Sequence, residues 1–436
     1  MKKLLIIAGL LIVSKSYAQT ITLNQAIETG LKHRIELKTQ NIETDIARAQ
    51  NKKLNSTWHP KITFNADARW NTKLQESLIP IGEFGLPGTP PDATRSIAFG
   101  APFNNQLNLN IDQKIFDPRT SYERRINRNK TSIEANKSEQ EKINIKQSIT
   151  EAYYAVVYNK EKLQLSLKAY ERAKANSETA TTKFQAGTLL KNELNRFLLD
   201  LANAKLTYEN DLQNYELSLE ELRYQLNTTE KVVPAEDIAT IISATILTNS
   251  NNIDRRPEII AEELRKEDNT LNRVMENSRY LPVISAYGSY GALQLSNKFD
   301  LFKNETWSSF NYLGIKLSWT LYDGRQGKYN KDEFLQREKI NELNIEKLKK
   351  DFNYDLKVLA VQLHQAQEGM KDAQQNILLA KKIVVTDQLR FKEGVKTSVN
   401  LIESEYSLLQ TENNYLVQAY NYLVAAVKYQ KALGNL

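Results

Sequence analysis

The chain has no cysteine, and its only histidines are His33, His59 and His364. Without Cys there is no disulfide framework, no Cys-ligated zinc or iron–sulfur site and no thiol nucleophile. The three scattered His residues read as incidental polar residues, not as metal ligands. No nucleophile–base pair, phosphate-cradling glycine loop or metal cluster is evident, so the sequence predicts neither an enzyme nor a cofactor. Long apolar runs are missing too: after residue 18 none reaches 18 residues, and any membrane insertion has to use strands. Charge of one sign is also scarce. Fifty-nine Lys and Arg face 52 Asp and Glu, with no basic stretch interleaved with aromatics, which argues against nucleic acid as a partner. With 41% hydrophobic and 25% charged residues the composition is that of a folded protein standing mostly in water.

Residues 1–18 read as a signal peptide. Lys2 and Lys3 precede an apolar core from Leu4 to Val13, and Ser16 and Ala18 place small residues at the cleavage-determining positions. Residue 19 is Gln, not Cys, so no lipid-anchoring site follows the expected cut. Cleavage removes three Lys and lowers the formal net charge from +7 to about +4.

The ten prolines and fifteen glycines are few and unevenly placed. No Pro lies between 119 and 233 or after 282, and Gly187 is the only Gly in the first of these stretches. From 328 onward only Gly369, Gly394 and Gly434 occur. Two stretches of more than a hundred residues are thus nearly free of helix breakers. The second also carries a seam: Ile345, Leu348, Phe352, Leu356, Leu359, Leu363, Ala366, Met370, Ala373, Ile377, Ala380 and Val384. Their mean spacing of about 3.5 residues is that of a long, coiled-coil-like helix. Gly187 and Gly394 punctuate the stretches as helix C-termini, predicting two hairpins, each with an arm of roughly 70 residues and a return of roughly 40. At 1.5 Å per residue the longer arm measures ~100 Å.

The same order of signals occurs twice. Phe184 and Gly187 align with Phe391 and Gly394, Phe116-Asp117 with Tyr322-Asp323, and His59-Pro60 with Leu281-Pro282. The residues around Asn227 align with those around Gly434. This organisation predicts a first repeat over 19–227, a linker over 228–254 containing the polar run 248–252, and a second repeat over 255–436. Each repeat reads helix, strand, loop, strand, long helix, return helix, with opening helices over about 24–57 and 257–280.

The strands decide the class. Apolar and polar residues alternate from Ile62 to Trp70, from Leu107 to Asp112 and from Leu313 to Leu321, and more weakly over 283–293. These lengths are close to the roughly 9–11 residues of a tilted membrane strand. Trp58, Trp70, Trp307 and Trp319, all the tryptophans of the chain, lie in or beside these strands, as interfacial aromatic girdles do. A half-buried sheet on a water-soluble domain is the alternative, but no other segment offers an apolar face to cover it. Four strands cannot close a barrel and an open edge cannot sit in lipid, so copies must share one barrel. Two copies give eight strands and a filled lumen; three give twelve and a possible opening. The fold class is therefore mainly α, with long helical hairpins and a membrane β part of four strands per chain.

Arg255-Arg256-Pro257-Glu258, Leu281-Pro282 before a strand, Phe116-Asp117, Tyr322-Asp323-Gly324, Arg390-Phe391-Lys392-Glu393-Gly394 and the final Ala432-Leu433-Gly434 occur in an order that resembles the TolC-family outer-membrane efflux factors. The resemblance covers essentially everything after residue 20. It implies a homotrimer with a 12-stranded β-barrel in the outer membrane and a periplasmic α-helical tunnel. The family docks through a periplasmic adaptor protein to an inner-membrane transporter, and conducts substrates passively in efflux or type I secretion. By the same resemblance the hairpin tips at Gly187 and Gly394 form the periplasmic entrance. There the family presents two inward carboxylates, six and nine residues past the second tip glycine. The matching positions are Asn400 and Glu403, so one acid is replaced by an amide and a weaker cation preference is expected. Links that hold the family's entrance shut fall on Phe391, Lys396 and Glu193. Phe391 lacks the hydroxyl such a link uses, and a Lys396–Glu193 ion pair is the link that remains. The Pro-rich loop 71–105 occupies the place of an extracellular connection. Two other readings use long helices: a periplasmic adaptor, which carries one hairpin set among lipoyl-like and barrel domains, and a structural coiled-coil surface protein, which has no use for amphipathic strands and tryptophan girdles.

Overall fold

The structure is a computed structural model that describes residues 19–81, 90, 92–245, 252–303 and 307–436. The expected signal peptide, positions 82–89 and 91 of the long loop, and 248–251 of the linker's polar run lie outside the described residues.

The first half runs β1 (Gln19–Ile21), α1 (Leu23–His33), α2 (Ile35–Asn55), β2 (Lys61–Trp70), β3 (Glu76–Pro80), β4 (Thr94–Ala98), β5 (Phe103–Phe116), α3 (Thr120–Gln185) and α4 (Lys191–Leu226). The chain continues through β6 (Val232–Pro234), α5 (Ile238–Ala244), α6 (Pro257–Met275), β7 (Val283–Ser296), β8 (Trp307–Ser318), α7 (Gln326–Lys392) and α8 (Ser398–Ala432). It forms two compact units. One comprises the chain up to Thr44 with Ile133–Leu264 and Asn341–Leu436; the other comprises Asp45–Ser132 and Arg265–Ile340.

The first unit is mainly helical. The expected arms are single helices of 66 and 67 residues, returning through helices of 36 and 35. Every position of the α7 seam is buried or half-buried, while Val361, Leu378 and Leu379 off the seam stay exposed. The core is built where helices meet closely: Ile149, Tyr153 and Val156 of α3, Leu222 and Leu226 of α4, and Ala419, Leu423 and Ala426 of α8. Small residues on α8 let backbones approach, and each large apolar side chain buried here stabilises the unit by about 1.5–3 kcal/mol.

The tips are two copies of one turn. Gly187 (φ +70°) donates to the Phe184 carbonyl and Thr188 to that of Lys183; Gly394 (φ +75°) donates to Phe391 and Val395 to Arg390. This is the Schellman pairing, and its left-handed residue explains the lone Gly at each tip. The return helices end alike. Asn227 (φ +49°) donates to Tyr224 and Thr228 to Arg223, while Gly434 (φ +77°) donates to Lys431 and Asn435 to Gln430.

Two features depart from the sequence reading. The opening helix is broken at Arg34, whose guanidinium is held by Gln225 Oε1 on α4 (2.7 Å) and by Glu36 (3.0 Å). The linker is also structured: β6 pairs in parallel with β1, Gln19 to Val232 through Ile21 to Pro234. Both strands are three residues long, too short to show a period.

The second unit carries an antiparallel sheet in the order β2-β5-β7-β8. β2 and β5 form a hairpin, β7 and β8 another, and β5–β7 joins the two. The long loop contains a further hairpin, β3 with β4, from Glu76↔Ala98 to Pro80↔Thr94. Where β5 gives way to α3, Asp117 is almost wholly buried. Its carboxylate accepts from the Arg119 backbone (3.1 Å) and from Lys114 Nζ (3.0 Å). Burial alone would raise its pKa, but hydrogen bonds from Arg119 and Lys114 outweigh it and hold the carboxyl below 3.8. Asp323 stands at the same junction before α7, accepting from the Gly327 backbone (2.8 Å) and from Tyr280 Oη (3.1 Å). An acid at each helix start complements the positive end of the helix dipole.

Candidate functional site

The register fixes what each sheet face carries, because directly opposed residues share a face. One face takes Ile62, Phe64, Ala66, Ala68 and Trp70 from β2, opposite Ile111, Leu109, Leu107, Asn105 and Phe103 of β5. It continues through Gly288, Tyr290 and Ala292 of β7 to Leu313, Ile315 and Leu317 of β8. No Asp, Glu, Lys or Arg of the four strands lies on this face. Its apolar residues are open to the surroundings: Phe64 is 66% exposed, Ile315 73% and Leu313 91%. The opposite face carries Thr63, Asn65, Asp67, Asn104, Gln106, Asn108, Asn110 and Lys316. Both outer strands, β2 and β8, have no neighbour on one side among the described residues.

Uncharged polar residues interrupt the apolar face, and one pair of them is buried. Asn105 and Gln294 are opposed and buried, with Asn105 Nδ2 donating to Gln294 Oε1 (2.8 Å) and Gln294 Nε2 to the Asp300 carbonyl (2.8 Å). Asn105 thus donates to Gln294, and Gln294 passes its own donor on to Asp300; on the same face Phe103 stacks on Trp70 (6.3 Å) and meets Phe299 edge-on (5.7 Å).

The four tryptophans stand at the strand ends. Trp70 closes β2 and Trp307 opens β8, its indole nitrogen donating to Leu301 O (3.2 Å). Trp319 follows β8 and donates to Tyr280 O (3.0 Å). Trp58 precedes β2, under the Arg124 guanidinium (5.8 Å), and its carbonyl accepts from Gln113 (2.7 Å).

At the tips, the expected entrance residues find partners of their own. Lys396 Nζ lies 2.6 Å from Asp387, not beside Glu193. Glu193, in the first turn of α4, accepts instead from Ser398 Oγ (3.4 Å). Phe391 packs against Phe197 (5.8 Å), and Lys183 Nζ sits over its ring (4.6 Å). Asn400 accepts from Thr397 Oγ1 (2.6 Å) just before α8 begins, and Glu403 is exposed.

The sequence reading missed a buried polar knot above this turn. Glu405 of α8 is 5% exposed. It accepts from Asn176 of α3 (2.9 Å) and Gln388 of α7 (3.0 Å), with Arg172 3.7 Å away. Nearby Asp200 of α4 has its pKa raised, by burial first and then by the negative field of Glu405, against the pull of Arg172. The signal was available: Asp387 continues the seam three residues after Val384, and Glu405 lies four after the buried Leu401. A charged residue on a seam predicts a buried partner.

The chain thus combines a two-faced four-stranded sheet, whose outer strands are unpaired among the described residues, with two long helical hairpins. Residues 250–435 match the family model described as outer membrane efflux protein. The fold agrees over almost the whole chain with solved outer-membrane channels. CusC superposes with a TM-score of 0.76 at 13% identity, covering 96% of this chain and 93% of that one. The CmeC outer membrane channel of Campylobacter jejuni gives 0.71 at 18%, covering 98% and 91%. The open-state MtrE channel of Neisseria gonorrhoeae gives 0.69 at 16%, covering 94% and 88%. No curated protein matches the chain by sequence. The family match covers residues 250–435, and the likeness to the solved channels over nearly the whole chain shows the fold.

Proposed function

We propose that three copies of this chain close a 12-stranded barrel in the outer membrane, continued by a helical duct in the periplasm. The duct is the passive exit of a tripartite efflux or secretion system, with direction and energy supplied by an inner-membrane transporter through a periplasmic adaptor. The observation that carries this reading is the exposed, charge-free apolar face on a sheet with two open edges. In water such a face and such edges are liabilities; in lipid the face is satisfied and the edges must pair with copies. Apolar residues exposed along the helices, such as Leu199, Leu206 and Leu217 of α4, support burial against neighbouring copies in the same assembly. Within that assembly the two segments 19–227 and 255–436 act as two repeats, doubling three chains into six pseudo-equivalent hairpins. Asn400, Glu403, Phe391, Lys396 and Glu193 surround the periplasmic entrance, with Gly187 and Gly394 at its tips, and the four Trp mark the two membrane interfaces. The test is chemical cross-linking and planar-bilayer recording of detergent-extracted full-length protein. Trimers with stable unitary conductance are expected; a lipid-indifferent monomer that never conducts would overturn the reading.

A further inference from the structure

The polar sheet face distributes its charges unevenly. Along β2 and β5 it is mostly amide and hydroxyl, with one self-neutralising pair, Arg69 and Asp67 (3.4 Å). Its remaining charges gather at one end, where Lys61, Asp112, Lys114 and Lys316 line a cavity of about 1230 Å³ together with Tyr287, and where Ile315 and Leu317 reach its rim from the apolar face at β8. The register explains the gathering. Lys61 opposes Asp112, while Lys114 and Lys316 both oppose Ser285 from either side. That arrangement places the last two Cα atoms about 10 Å apart, two strand spacings. Asp117, which Lys114 contacts, is also held by Arg119, so the local balance of these six groups favours cations by two.

Aromatic rings continue from the lysines along the same face. Tyr287 lies over Gly314, where an added Cβ would come within 2.7 Å of the ring; it meets Tyr312 edge-on (6.1 Å), which stacks on Phe310 (6.4 Å). Tyr287 is 40% and Tyr312 51% exposed, beside the amide-rich stretch of β5 on the same face. Open aromatic surface beside a cationic cluster is the complement of a flat ring bearing a negative group.

We propose that this cavity is a binding station for aromatic organic anions, carboxylates or sulfonates, inside the barrel lumen. The inference rests on the shared-barrel reading, which turns the polar face inward and repeats the station in every copy. The lysines hold the acidic group and Tyr287 and Tyr312 take the ring. Small organic anions thereby enter the barrel more readily than cations of the same shape.

Single-channel recordings of the full-length oligomer test this with 2-naphthalenesulfonate and 1-naphthylmethylammonium as probes. The sulfonate is expected to produce transient current blocks and the ammonium far fewer. Lys61→Gln with Lys316→Gln should cut sulfonate block frequency about tenfold, as expected for removing two fixed charges from a confined aqueous site. Asp112→Asn should raise it, which guards against a merely damaged barrel. Open channels whose blocks do not distinguish the two probes, or variants that block like the parent, would overturn the proposal while leaving the duct intact. Absence of any conductance would overturn both.

Discussion

Lys396 reaches back nine positions to Asp387, closing the second hairpin tip with a 2.6 Å ion pair whose carboxylate side chain is only 7% exposed. The pair ties the turn after Gly394 to the last seam turn of α7, so this ion pair lies within the second hairpin, beside the Ser398–Glu193 and Phe391–Phe197 contacts to the first. Lys396→Met would strand a buried carboxylate at a cost of about 2 kcal/mol. Backbone amides of 388–400 should then exchange with deuterium about thirtyfold faster, and Lys396→Met with Asp387→Asn together should recover most of the loss. Unchanged exchange in the single variant would show that the tip is held otherwise.

The Glu405 knot makes hairpin packing respond to acid. Asp200 has a raised pKa, so the folded state favours its protonated form. Its contribution is present at low pH and is lost as pH rises through that raised value. Thermal unfolding in detergent should therefore show this site gaining stability as pH falls from neutral toward the ordinary carboxylate range. Asp200→Asn should stabilise the protein at neutral pH and flatten that part of the profile. A variant less stable than the parent at neutral pH would contradict the sign.

The Asn105–Gln294 pair predicts an asymmetry. Gln294→Leu leaves one buried amide without its opposite and should cost about 1–3 kcal/mol, whereas Asn105→Leu with Gln294→Leu should come close to the parent. Melting temperatures of the three proteins in one detergent decide it.

Gly291 is required by closeness. A Cβ there would lie 2.4 Å from the Leu107 carbonyl oxygen and 2.8 Å from the Phe310 ring. Gly291→Val should therefore spread β5 from β7 and reduce the yield of heat-resistant oligomer several-fold. Normal assembly of this variant would mean that the two strands part more easily than their register suggests.

Much of this is legible in the sequence. A chain without breakers and with a seam has few alternatives to long helices, and strict alternation at membrane length has few alternatives to a two-faced sheet. The tip glycines were legible because only one backbone conformation ends a helix that way without strain. Partners were not legible. Alternation says nothing about which strand lies beside which, so the β5–β7 junction was invisible. Lys396 has carboxylates near it on both hairpins, and its choice of Asp387 depends on where the seam places that acid. At the break Arg34 is held by Gln225, nearly two hundred residues away along the chain.

The β5–β7 ladder also sets a timetable. β5 ends at Phe116 and β7 begins at Val283, so the central strand pair joins segments made far apart in time. Pairings of such high contact order form late, because the long intervening loop must close first. The β2–β5 hairpin, with its bare apolar face, is thus finished well before its permanent neighbour exists. Until β7 arrives, β5 of that hairpin is left with an unfilled edge.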